Sequence, residues 1–407
     1  MIQAGDTAFV LISAALVLLM TPGLALFYGG MVRGKNALGT IMQSFILISL
    51  VSLEWVYLGY SMSFGPDLGG VIGSLAWSGL ADVGAAPNPD YAPTIPHLVF
   101  MIYQCMFAVI TPALITGAFA ERMRFGPFLI FSLLWVVVVY NPVCHWVWGA
   151  GGWLKEMGVA DFAGGLVVHL TSGAAALASV WVIGPRKDFG QVNVFPHSLP
   201  LTLLGTGLLW FGWFGFNAGS ALAADGVAAT AFVSTHLGGM AGMAMWTAVE
   251  WYHRGKPTTL GAASGAVAGL ATVTPAAGFV APNAAVLIGL LAGGLCYLGV
   301  MFKSRLGFDD SLDVVGIHGL GGLIGTLCVG IFATKAVNPA GVDGLLAGNP
   351  GQLGIQAFGC LVVLGYSLVA STLLLKLVKT LAGLRLAPDH ETMGLDVSQH
   401  SEAAYSE

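Results

Sequence analysis

The sequence predicts an all-α polytopic membrane protein of eleven transmembrane helices. They are arranged as an inverted five-helix repeat plus one additional helix, with the N-terminus outside and the C-terminus in the cytoplasm. Three observations lead there. Hydrophobic residues make up 56% of the 407 and charged residues only 9%, against roughly 25% charge in soluble domains, and the mean hydropathy is +0.83. Basic residues concentrate in alternate loops, and one polar pattern recurs 149 residues further along the chain. The net charge of −5 is too small to point to nucleic acid, and none is expected as a partner. The five cysteines, Cys105, Cys144, Cys296, Cys328 and Cys360, have no metal-ligand spacing and read as small apolar packing residues.

Apolar runs long enough to cross a bilayer, about 20 residues each, cover 8–30, 38–62, 97–120, 126–148, 163–183, 199–219, 227–251, 259–277, 281–302, 313–333 and 353–378. No Lys or Arg precedes Arg33, and the first run is too long for the apolar region of a signal peptide, so it reads as a retained helix. The pairs Arg33/Lys35, Arg122/Arg124, Arg186/Lys187, Arg254/Lys256 and Lys303/Arg305 fall on one side, with Lys376, Lys379 and Arg385. Only Lys155 and Lys335 fall on the other. The positive-inside rule makes the first side cytoplasmic. A membrane domain is therefore expected over 1–386, with repeats at about 8–185 and 199–335 and the eleventh helix at about 353–383. A polar cytoplasmic tail, regulatory or simply disordered, follows over 387–407.

The repeat is carried by Asp161 eight residues before His169 and Asp310 eight residues before His318, at the starts of the fifth and tenth runs. Thr111-Pro112 and Thr274-Pro275 mark the third and eighth runs in the same way. An odd number of crossings per repeat inverts the second copy, an arrangement that places a shared site at the bilayer midplane. Each histidine then enters from an opposite face, and the two imidazoles are expected to meet by the pseudo-twofold axis.

Ionisable groups at membrane depth are costly and mark pathways. Two histidines are too few to ligate a metal, so no metal is expected. A pair of imidazoles that donates and accepts hydrogen bonds, or passes protons, fits better. Asp161 is placed to cap free N–H groups of the fifth helix, which leaves room for an electrostatic role toward a cation. Glu54 is a second intramembrane carboxylate, without a partner legible in the sequence. His236 reads as making an interhelical hydrogen bond. Tyr103, Phe107, Tyr140, Trp146, Trp148, Trp153, Phe214 and Phe216 crowd the outer ends of the runs. An interfacial belt explains most of them; a cation site facing an outer vestibule is the alternative.

Longer motifs are also present: Phe27-Tyr28-Gly29-Gly30 with Arg33 to Asn36, Ala120-Glu121-Arg122, Asp161 to Gly165 followed by Ser172-Gly173 and Gly184-Pro185-Arg186, Trp213 to Ser220, Asp309-Asp310 with Asp313 and His318, and Gly394 to Tyr405. With these motifs the chain resembles the Amt/Mep/Rh family of ammonium transporters, its bacterial Amt branch in particular, over essentially its whole length. The resemblance implies a homotrimer in the cell (inner or plasma) membrane that carries ammonium or ammonia, with methylammonium as an analogue, without catalysis or a cofactor. It implies an outer recruitment site at Phe107, Trp148 and Ser220, and a gate of Phe107 and Phe216 with Tyr103 above. It further implies a pore with His169 and His318, and Asp161 as the buried carboxylate. Trp213, Ser264 and Thr274 are supporting positions. A cytoplasmic PII-type signalling protein is an implied partner, docking on the basic inner loops around Arg122/Arg124 and Arg186/Lys187 and on the tail. Ser401 departs from the family pattern, where Gly is common.

The chemistry suits such a cargo. Ammonium matches potassium in size and charge but can donate hydrogen bonds and lose a proton. An aromatic cage is worth ~2 kcal/mol or more per good contact to a desolvated cation, whereas an intact ion in an apolar bore costs tens of kcal/mol. Deprotonation outside and passage of ammonia, with or without a separately relayed proton, avoids that cost. An ammonium sensor and a channel for another small neutral solute remain alternatives; a membrane enzyme would need a nucleophile or metal shell that does not converge here.

Overall fold

The computed structural model describes residues 1–191 and 194–405. Its long helices are α1 (Ala4–Met31), α2 (Gly34–Phe64), α3 (His97–Ala118), α4 (Phe125–Glu156, turning at 149–152), α5 (Gly165–Ile183) and α6 (Leu199–Ala221). They continue with α7 (Gly226–Arg254), α8 (Thr259–Val273), α9 (Pro282–Leu306), α10 (Val315–Phe332) and α11 (Gly351–Ala382). Among the described residues, nine of these are long and apolar enough to cross a membrane. The seventh and eighth runs fall outside that set. Helix α7 is long but diluted by His236, Glu250 and His253. Helix α8 has 15 residues, because the chain turns after Thr274-Pro275.

Helices α5 and α10 lie at the centre and decide the site. Helix α5 starts after Gly164, whose φ of 118° favours a residue without a Cβ, and it ends at Gly184-Pro185. The two helices cross at Gly173 and Gly319, where a Cβ on Gly173 would run into the Gly319 backbone; only small residues allow this approach. Both helices open with a π-helical turn, Gly165–Leu170 and Val315–Gly319, and each turn contains the histidine. Such wide turns cluster at functional sites because they displace side chains from the regular helical path. The sequence carries no periodicity signal for them. Thr111 and Thr274 each donate to the carbonyl four residues back, at 2.6 and 2.8 Å.

The described part of the tail, to Tyr405, packs against the ends of the helices; Ser406 and Glu407 of the expected tail lie outside the described residues. The Asp396 carboxylate accepts from the backbone N–H groups of Leu38 and Gly39 at the start of α2. Leu395 N–H donates to Asn36 Oδ1, and the Tyr405 hydroxyl lies 2.8 Å from His197 Nε2. Ser401 has φ of 56°, the left-handed region that glycine tolerates best.

Candidate functional site: an aromatic vestibule above a paired-histidine bore

Helices α3, α4 and α6 meet the long loop between α2 and α3 around a cavity of about 170 Å3. Phe107, Trp148 and Ser220 line it, together with Tyr91, Gln104 and Lys155. The three residues expected to share an outer site are thus brought together. Trp148 is locked in place because its Nε1–H donates to the Asp161 carbonyl at 2.8 Å. Its ring stands edge-on to Phe107, with centroids 6.0 Å apart at 89°. The Ser220 hydroxyl lies 2.9 Å from the Phe216 carbonyl and 3.2 Å from the Tyr103 hydroxyl.

Phe107 and Phe216 close the floor of this vestibule, with ring centroids 4.3 Å apart. Tyr103 stands beside them with its hydroxyl 2.9 Å from the Phe216 carbonyl. Below lies a bore cavity of about 10 Å3, lined by Phe216, His169, His318, Trp213 and aliphatic side chains. That volume is near the minimum for one water molecule. The two imidazoles are buried, with Nδ1 atoms 3.2 Å apart and rings inclined by 21°. The indole of Trp213 stacks 5.7 Å from His169 and donates to Thr274 Oγ1 at 2.8 Å. Ser264 is buried on α8 but lines neither the vestibule nor the bore.

Asp161 accepts four backbone N–H bonds, from Gly164 and Gly165 to Oδ1 and from Leu166 and Val167 to Oδ2, at 2.7–3.2 Å. These hold the free N–H groups that any helix start presents. Both carboxylate oxygens are committed to these N–H groups, while the Trp148 indole bonds the backbone carbonyl of the same residue. Asp310 repeats the device at α10, accepting from Val315 N–H at 2.8 Å.

Several expectations change. Tyr103, Phe107, Tyr140 and Phe216 are buried, so they are not belt residues: they turn inward because helices surround them on every side. His236 makes no hydrogen bond among the described residues; its ring packs on Trp210 at 5.6 Å instead. Glu54 finds its partner in Asn141, whose Nδ2 donates to Oε1 at 2.8 Å. The basic loops around Arg122/Arg124 and Arg186/Lys187 do not form a uniform docking surface. Arg122 is fully buried and donates to the Asp309 carbonyl and Ser311 Oγ. Arg186 grips the Asp309 carboxylate with Nε and Nη2 and reaches Glu121. Arg33 pairs with Glu121 and Asp188. Arg124 and Lys187 stay exposed. In this network burial by itself raises the Glu121 carboxyl, but hydrogen bonds from Arg33 and the charge of Arg186 hold it below the usual carboxylate range. Asp309 is held low likewise, burial opposing and Arg186 and Arg122 prevailing. Sequence reading missed Glu121 and Asp309 as ion-pair partners, and missed Gln104, Tyr91 and Lys155 on the vestibule wall. Gln104, three residues before Phe107 on one helix, was findable by spacing; the loop residues carry no such signal.

A helical membrane bundle with an aromatic vestibule over a narrow, mostly apolar bore defines a membrane transport protein. The chain belongs to the ammonium transporter family: the model described as Ammonium Transporter Family matches residues 8–405. It is 51% identical over 406 residues to a protein of Bacillus subtilis named ammonium transporter, covering 100% of this chain and 99% of that one. Among solved structures, Saccharomyces cerevisiae Mep2 superposes with a TM-score of 0.90 at 38% identity, covering 95% of this chain and 88% of that one. A structure described as a sensor Amt protein gives a TM-score of 0.90 at 31% identity, covering 97% and 98%. The chain is accordingly a multi-pass protein of the cell membrane, and its family supports ammonium transport.

Proposed function

We propose that the protein captures ammonium in the vestibule of Phe107, Trp148 and Ser220, removes a proton there, and conducts ammonia past the Phe107/Phe216 gate and the His169/His318 pair. The observation that carries this reading is the order of parts: an aromatic cavity, two phenylalanine rings with centroids 4.3 Å apart, then paired imidazoles in a bore of about 10 Å3. A cation gains from the π faces and the Ser220 hydroxyl in the vestibule, but the bore offers too few polar groups to replace its hydration. Ammonia crosses at little cost, and the imidazoles can donate to it, accept from it or hand on a proton. Asp161 favours positive charge above it through its field. Tyr103, Trp213 and Thr274 hold the Phe216 and His169 walls in place, and Ser264 belongs to the supporting helix α8.

The same reading takes the chain as crossing the membrane eleven times, N-terminus out. Residues 1–386 then form the transport domain, with an inverted repeat over about 8–185 and 199–335, and 387–407 the cytoplasmic tail. The paired devices Asp161/Asp310, Thr111/Thr274 and His169/His318 support the repeat. A homotrimer in the inner or plasma membrane, and a PII-type partner on the inner face using Arg124, Lys187 and the tail, complete the proposal. A sensing role is the second reading, favoured by the likeness to the protein described as a sensor Amt protein.

Uptake of labelled methylammonium into liposomes holding the purified protein tests the transport reading. Concentration-dependent uptake competed by ammonium and not by potassium is expected; binding without uptake favours the sensor.

A further inference from the structure

One charged side chain on the vestibule wall has no place in the scheme above. Lys155 lines the same cavity as Phe107, Trp148 and Ser220. Its Nζ donates to the backbone carbonyl of Trp148 at 3.2 Å, so its head group is tethered to the very residue that supplies the cage's indole. The tether is short and well founded. Lys155 lies in the helical turn Trp153–Glu156, where Trp153 N–H is anchored on the Gly70 carbonyl of the outer loop at 3.1 Å. The other charged group on the cavity wall is Asp90, and Glu156 is the next residue in the chain.

A lysine head group is itself an alkylammonium ion, with the same charge and the same N–H donors as the cargo. Held at the mouth, it competes for the local negative potential and repels an arriving monocation. Ammonia carries no charge and feels no such repulsion. A fixed cation at this point therefore discriminates between the two protonation states of one molecule: it weakens capture of the ion and makes loss of its proton easier. We infer that Lys155 is a built-in electrostatic counterweight to the aromatic cage, setting the affinity of the vestibule for ammonium and biasing the captured ion toward deprotonation. Asp90, on the wall of the same cavity, moderates it. Lys155 does not plug the site, because its head group is held on the Trp148 carbonyl and not on the Ser220 hydroxyl.

The inference rests on the proposal that ammonium is captured in this vestibule, and the test separates the two. Methylammonium uptake is measured against concentration in liposomes at low and high ionic strength for the unaltered protein, Lys155→Gln, Lys155→Arg and Trp148→Leu. Lys155→Gln is expected to lower the half-saturating concentration about threefold at low salt, the scale of one unit charge across a solvated mouth, with the gap closing at high salt as screening sets in. Lys155→Arg, which keeps the charge, is expected to follow the unaltered protein. An unchanged or higher half-saturation in Lys155→Gln at low salt overturns the inference, and so does an equal shift in Lys155→Arg, which would make the effect steric. If Trp148→Leu shifts the curve and Lys155→Gln does not, the vestibule stands and the counterweight falls. If neither moves it, both fall.

Discussion

The Nδ1 atoms of His169 and His318 lie 3.2 Å apart, although 149 residues separate them in the chain. Two neutral imidazoles at that distance can share only one hydrogen bond, so one ring carries its proton on Nδ1 and the other on Nε2. The pair is thereby locked into complementary tautomers. His169 Nε2 has no partner among the described residues, and the bore cavity is what both rings border. A guest molecule there meets a donor on one ring or an acceptor on the other, and a proton moving along the pair would reverse both.

Replacing both histidines by alanine is expected to leave a folded protein, since the pair bonds to itself and not to the scaffold. Selectivity for methylammonium over potassium is expected to fall by about tenfold or more, the scale of one lost polar station at ~1.4 kcal/mol. Uptake and ion currents recorded in liposomes check it; unaltered uptake, exclusion and current would remove the pair from the pathway.

Trp148→Leu keeps apolar bulk but loses the π face and the bond to the Asp161 carbonyl. The half-saturating concentration is expected to rise by about fivefold, matching ~1 kcal/mol of cation–π stabilisation. An uptake curve unchanged over a wide ammonium range would make Trp148 an interfacial residue only.

Asp161→Asn exchanges two acceptor oxygens for one, so two of the four N–H groups at the start of α5 lose their partners. A stability loss of about 1–3 kcal/mol is expected, together with reduced uptake as the Trp148 anchor shifts. Thermal unfolding in detergent measures the first and liposome uptake the second. A full-strength variant would show that the cap carries neither stability nor function.

The network of Arg33, Glu121, Arg186 and Asp309 sets a pH dependence. Glu121 and Asp309 are held below the ordinary carboxylate range, so their stabilising contribution is complete above the unfolded values near 4 and is lost as pH falls through the lower folded values. The loops that carry these residues, and the tail packed against them, are expected to resist protease at neutral pH and to open only below about pH 4. Glu121→Gln should show the opened pattern already at pH 7. Equal protection in the variant and the unaltered protein at pH 7 would leave Glu121 without that role.

Tags at Leu80 and Asn338 are expected to be reached only from outside, and tags at Lys256 or in the tail only from inside, because the basic residues divide the loops so unevenly. Surface labelling with the opposite result at either end would overturn the eleven-crossing reading.

The membrane class, the apolar runs and the recurring Asp–His spacing were determined by the sequence itself, for a local reason. Lipid solvation and loop charge act on each segment independently of its neighbours, so hydropathy and Lys/Arg counts reveal them directly. Asp161 as a helix cap was legible for the same reason, its partners being three to six residues away. The partner of Glu54 was not, because Asn141 reaches it from another helix. Nor was the burial of Arg122, since a basic residue after a hydrophobic run looks the same whether it faces water or Asp309. The vestibule shows the limit most clearly: Tyr91, Phe107, Trp148 and Ser220 come from four segments that only helix packing brings together. Belt and cage draw on the same aromatic residues at the same ends of helices. The direction each ring points is decided by which neighbours surround it, and that is a property of the tertiary structure alone.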